Sequence, residues 1–152
     1  MANGTQRQVY ELFIQTSADK LWQSLTDASI TPYYFFGTAV KSSFKKGEPI
    51  RYDMPDGSPA VDGTIVECEP NKRLVHTWKI RYSPELSDET SLVEWQIEQR
   101  GNACKVIAIH DFAQAPKSAA HLGAGQDGWN VVLSSLKTYL ETGRPLDLPM
   151  AG

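Results

Sequence analysis

The sequence predicts an α+β fold in which one antiparallel sheet of seven strands meets one long C-terminal helix. Three observations predict it. Between residues 38 and 113, runs of strand character alternate with recurring turn signals, which describes an antiparallel meander. Residues 128–145, GWNVVLSSLKTYLETGRP, place Trp129, Val132, Leu133, Leu136 and Leu140 on one stripe of an amphipathic helix. Helical and strand patterns are segregated along the chain rather than alternating, which favours α+β over α/β.

The elements follow in order. QVYELFI (8–14) has strand composition. TSADKLWQSLTD then begins a short helix: Thr16 and Asp19 resemble a capping box, Leu21, Trp22 and Leu25 form its apolar face, and it ends near Asp27. ASITPYYFFG reads as a second short helix or turn, with Pro32 in its first turn and Gly37 closing it. The turns KKGEP, MPDGSP, EPNKR, SPELSDE and QRGNA separate six strands: GTAVKSSF, PIRYDM, AVDGTIVECE, RLVHTWKIRY, TSLVEWQIEQ and ACKVIAIHDF. AQAPKSAAHLGAG reads as a Pro-, Ala- and Gly-rich loop. In the last helix Asp127 stands where an N-cap would, Gly143 follows the final turn, and Pro145 comes shortly after.

Composition narrows the function classes. The 152 residues predict one domain spanning 1–152, which buries roughly 70% of its unfolded surface and needs neither disulfide nor metal to fold. The net charge of -3 is spread along the chain, so no basic stripe invites nucleic acid and no polybasic segment invites an anionic membrane. MANGTQRQVYELF lacks an apolar signal core, and no run approaches the roughly 20 apolar residues of a spanning helix. Cys68 and Cys104 lie far apart, which suits a reduced, cytoplasmic protein better than a disulfide scaffold.

Strand alternation assigns faces. Val93, Trp95 and Ile97 share one face, with Glu94, Gln96 and Glu98 opposite. By the same parity Val106, Ala108, His110 and Phe112 point inward, as do Leu74, His76, Trp78 and Ile80. Tyr52 joins them, while Ile65 and Val66 compete for the inner face of their strand. An inner wall of aromatics, two histidines and small residues fits two readings. One is a solid core; the other is a cavity between sheet and helix with sparse polar groups on apolar walls.

KLWQSLTD, DGTIVECEPNKRLVHTW, KVIAIHDF and GWNVVLSSLKTYLETG together carry a family resemblance. The chain resembles the SRPBCC (START/Bet v 1-like) superfamily from about residue 8 to residue 144. Within it, the chain is similar to the domain named after the C-terminal half of the activator of Hsp90 ATPase (AHSA1-like). The most specific piece is the pattern from Gly63 to Trp78, followed by the G-W helix. The resemblance implies the helix-grip fold, a curved seven-stranded antiparallel sheet wrapped around the long C-terminal helix, with two short helices after the first strand. It also implies a cavity between the two, often used for hydrophobic ligands. Relatives include cyclases, lipid carriers and stress-response proteins, and the fold does not choose among them.

The predicted ligand wall is Trp22, Phe36, Tyr52, Trp78, Trp95, His110, Phe112 and Trp129, with His110 and Tyr52 orienting polar groups of a small, largely apolar ligand. No metal or cofactor is expected, since His76, His110 and His121 form no close-spaced ligand pair. No catalytic residue is assigned: Asp111 is the strand neighbour of His110 and points to the other face, Cys68 and Cys104 have no activating neighbour, and GAGQDG lacks the strand and Lys of a phosphate loop. Two other classes remain open. One is a co-chaperone-like module acting on an Hsp90-type chaperone, motivated by the family's name. The other is a cyclase or hydrolase using His110 as general base. The Tyr33, Tyr34, Phe35 and Phe36 cluster could gate the cavity or form a homodimer contact.

Overall fold

The computed structural model describes residues 7–123 and 128–148. Its strands are β1 (Arg7–Ile14), β2 (Ala39–Ser42), β3 (Pro49–Asp53), β4 (Pro59–Glu69), β5 (Arg73–Ile80), β6 (Ser91–Arg100) and β7 (Ala103–Asp111). The helices are α1 (Ala18–Thr26), α2 (Pro116–Gly123) and α3 (Trp129–Thr142), and a 3-10 turn spans Thr31–Tyr33. All seven strands join one antiparallel sheet in the order β1-β7-β6-β5-β4-β3-β2. Consecutive strands β2 to β7 pair as a meander, and β1 closes onto β7. This is the helix-grip arrangement.

Register explains which side chains meet. Trp78 stands opposite Ser91, His76 opposite Val93, and Leu74 opposite Trp95. Across the next ladder Val93 faces His110, and Trp95 faces Ala108. A large ring thus repeatedly stands against a small or branched partner, which lets the inner face pack without overfilling. In β4 the ladder shifts between Ile65, opposite His76, and Glu67, opposite Val75. Val66 is the extra residue of a bulge and is turned outward, while Ile65 is buried. The bulge is why simple alternation leaves those two residues competing. Beside it, a Cβ on Gly63 would stand 2.0 Å from the Thr77 carbonyl oxygen, so only glycine fits this approach of β4 to β5.

α3 buries Trp129, Val132, Leu133 and Leu136, with Leu140 packed partly against the same core. Gly143 ends it in the left-handed region at φ 78°, its N–H returning to the Tyr139 carbonyl. Gly128 occupies the N-cap position, and Asp127, expected to cap the helix, lies outside the described residues.

Two local expectations are corrected. Ser17, not Thr16, caps α1, its hydroxyl accepting from the Lys20 N–H at 3.2 Å. Thr16 is instead buried, its hydroxyl without a partner among the described residues. The segment expected as a loop after β7 forms α2. Its first turn is held by a carboxylate remote in sequence: Glu89 accepts from the N–H groups of Lys117 at 3.2 Å and Ser118 at 2.9 Å. Local patterning carries no trace of such a cap.

Candidate functional site

A cavity of about 370 Å³ opens between the inner face of the sheet and the start of α3. Strands supply its depth: Tyr52 from β3, Ala60 and Val61 from β4, Trp78 from β5 and His110 from β7. Gly128, Trp129 and Val132 close the helix side. Phe35, Phe36 and Thr38, on the connection to β2, form another wall, with Met54, Tyr82 and His121 completing the lining. Phe36 and Tyr82 are 45% and 48% exposed, against 7% for Trp78 and Trp129, so the cavity runs from an open rim to a buried floor.

The lining is predominantly aromatic. Phe35 packs on Tyr52 at 5.0 Å between ring centroids, on Trp78 at 5.8 Å and on Trp129 at 5.9 Å. Tyr52 and Trp78 approach to 5.4 Å, and Trp78 and Trp129 to 6.4 Å. Among the described residues, no Asp, Glu, Lys or Arg lines the cavity.

His110 sits at the floor, 1% exposed, in a complete hydrogen-bond chain. The Trp129 indole Nε1 donates to His110 Nδ1 at 3.0 Å. Nδ1 must therefore carry the lone pair and Nε2 the proton, which goes to the Ser91 hydroxyl oxygen at 2.7 Å. The Ser91 hydroxyl donates onward to the Trp78 carbonyl at 3.3 Å. Burial, followed by the proximity of His76, pushes the imidazole down to about 3, so it is neutral at ordinary pH. Both ring nitrogens are thus hydrogen-bonded within the protein. In this arrangement the imidazole ties Trp129 to Ser91 at the cavity floor.

His76 lies deeper, fully buried. Its Nδ1 donates to the Thr77 carbonyl at 3.0 Å, and Nε2 has no partner among the described residues. Burial lowers it to about 4. Tyr52 is 4% exposed, and burial raises its phenol well above the ordinary range, so it remains protonated. At the rim the Tyr82 hydroxyl and His121 Nε2 lie 3.3 Å apart. Among the described residues no three His, Cys, Asp or Glu side chains converge as a metal site would require.

Of the residues expected on the wall, Phe36, Tyr52, Trp78, His110 and Trp129 line the cavity. Trp22, Trp95 and Phe112 do not. Trp22 is half-buried on α1, packed against the core. Trp95, 1% exposed, lies behind the lining, edge-on to Trp129 at 5.5 Å. Phe112 stacks on His110 at 3.9 Å and is fully buried. Inward parity identifies the face of each ring but not its depth. Sequence reasoning misses Ser91 as part of this site and names Phe35 only within the 33–36 cluster that could gate the cavity. Ser91 shares the inward parity of Val93 and Trp95, a signal that could have found it. Which ring of that cluster enters the wall follows no regular period, because Phe36 and Gly37 both take positive φ, at 54° and 76°.

A family model described as activator of Hsp90 ATPase homolog 1-like protein matches residues 15–141. No curated protein matches the chain. Among solved structures, protein MLL2253 from Mesorhizobium loti superposes with a TM-score of 0.71 at 21% identity, covering 88% of this chain and 96% of that one. The Aha1 dimer from Colwellia psychrerythraea gives 0.65 at 23% identity, covering 90% and 97%. PFC0360w, an Hsp90 activator from Plasmodium falciparum, gives 0.61 at 19% identity, covering 88% and 86%. At these identities the structural matches establish the fold. No described helix is long and apolar enough to cross a membrane.

Proposed function

The chain belongs to the family of activator of Hsp90 ATPase homolog 1-like proteins, and from that premise we propose that it binds a small, uncharged, largely apolar molecule between the sheet and α3. The observation that carries this reading is a cavity of about 370 Å³ whose described lining holds no charged side chain. That volume lies within the roughly 300–1,000 Å³ of small-molecule sites. Its one imidazole at the floor is fully hydrogen-bonded within the protein, which favours binding over acid–base turnover. The free thiols Cys68 and Cys104 suit a reducing, cytoplasmic setting.

Native mass spectrometry of the purified protein, followed by solvent extraction and uptake of 1-dodecanol or fluorene, tests this. A co-purifying small molecule or saturable uptake is expected, and Val132→Trp, which fills the cavity, should abolish it while circular dichroism stays unchanged. Absence of both co-purification and uptake by the wild type overturns the reading.

The family and the likeness to the Plasmodium Hsp90 activator support a second reading, a module that engages an Hsp90-type chaperone. The likeness to the Colwellia Aha1 dimer supports self-association. Stimulation of an Hsp90 ATPase, with sedimentation analysis of the protein alone, distinguishes these from a monomeric ligand carrier.

A further inference from the structure

We propose that the ligand of this cavity is a flat aromatic molecule bearing an oxygen acceptor, and that the Tyr52 hydroxyl donates the hydrogen bond that orients it. This rests on the small-molecule reading above. The wall is built of contiguous rings. Phe35, Tyr52, Trp78 and Trp129 touch one another in a continuous series at 5.0 to 6.4 Å. Such a surface offers ring faces and edges side by side. A planar π-system gains offset and edge-to-face contacts there that an alkyl chain of equal area does not.

Few polar groups on the lining are free to meet a ligand. The Trp129 N–H is held by His110, and both His110 nitrogens are committed. The Thr38 hydroxyl donates to the Phe35 carbonyl at 2.6 Å. Tyr82 and His121 face each other at the rim. Two donors remain on the lining: the Trp78 indole Nε1, fully buried without a partner among the described residues, and the hydroxyl of Tyr52, a residue 4% exposed. Desolvation keeps it a phenol, hence a donor, at any physiological pH. Trp78 Nε1 is enclosed by the protein, which leaves the Tyr52 hydroxyl as the donor offered to a ligand carbonyl. A charged ligand would find no described counter-charge on the wall.

Binding to the intact protein, read by tryptophan fluorescence and calorimetry, tests this with four probes: 9-fluorenone, fluorene, fluorene-9-carboxylate and 1-dodecanol. We expect 9-fluorenone to bind best, fluorene more weakly, and the carboxylate not measurably. Tyr52→Phe should weaken 9-fluorenone by about tenfold and leave fluorene unchanged. The proposal is overturned if Tyr52→Phe shifts both equally, or if fluorene or the carboxylate matches 9-fluorenone. It is also overturned if 1-dodecanol outcompetes both ring compounds, an outcome that leaves the small-molecule reading standing. If none of the four binds the wild type the proposal is overturned, and the small-molecule reading falls with it when nothing co-purifies. The rank order on wild type decides the ligand class even if Tyr52→Phe does not fold.

Discussion

The Trp129 indole Nε1 donates to His110 Nδ1 at 3.0 Å, tying the first turn of α3 to the inner face of β7. Both residues line the cavity, so one bond joins its helix side to its floor. Trp129→Phe keeps most of the ring but leaves His110 Nδ1 unpaired in a buried site. A loss of about 1–3 kcal/mol is expected from urea denaturation. Ser91→Ala removes the partner at the other nitrogen. Because both act through one imidazole, the double variant should depart from additivity by at least about 0.5 kcal/mol. Strict additivity would mean that the chain from Trp129 to Ser91 is not a unit.

Much of this pair is legible in the sequence, and the reasons for the remainder are physical. Trp129 on the helix stripe and His110 on an inward parity follow from periods of 3.6 and 2. That they meet depends on where α3 crosses the sheet, which neither period encodes. The same holds for depth: Trp95 and Trp78 share the inward face, yet only Trp78 reaches the cavity, because Trp129 stands in front of Trp95. Alternation puts Phe112 on the correct face, and it lies beyond the wall for a similar reason. α2 escapes local patterning because Glu89 supplies its cap from another loop.

Gly63 is irreplaceable for a reason visible only in the packed sheet. A Cβ there meets the Thr77 carbonyl oxygen at 2.0 Å and its carbon at 2.6 Å, both backbone atoms that cannot step aside alone. Gly63→Ala must therefore push β4 away from β5, also straining the bond from the Thr64 N–H to the Thr77 hydroxyl. Destabilisation of about 3 kcal/mol or more is expected, the upper end for overpacking. Gly57 provides the contrast. A methyl group there would meet nothing within 4 Å, and its φ of 91° means that replacement by Ala strains only a surface turn. Equal melting temperatures for the two variants would contradict the assignment.

The start of α1 offers a paired test of neighbouring hydroxyls. Ser17 accepts the Lys20 N–H, so Ser17→Ala should cost about 1 kcal/mol. Thr16 Oγ1 is buried with no partner among the described residues, so Thr16→Val exchanges that hydroxyl for a methyl of similar shape. That change is expected to be neutral or stabilising. Thermal denaturation of both variants checks the order, and a larger loss from Thr16→Val would return the cap to Thr16.

Acid should weaken the fold well before the carboxylates titrate. His76 and His110 are held neutral by burial, at about 4 and about 3, against an ordinary value of 6.5. Between those values the unfolded chain takes up protons that the folded chain refuses. Each histidine's contribution is therefore complete above pH 6.5 and is lost progressively as pH falls toward its folded value. Between about pH 6.5 and about pH 5 the loss is on the order of 2 kcal/mol per histidine. Urea titrations at about pH 7, 6 and 5 should show stability falling along this line. His76→Gln, which removes one titrating ring, should roughly halve the slope even if it lowers stability throughout. A wild type indifferent to acid across this range, or a variant with an unchanged slope, would show that these imidazoles are not buried neutral.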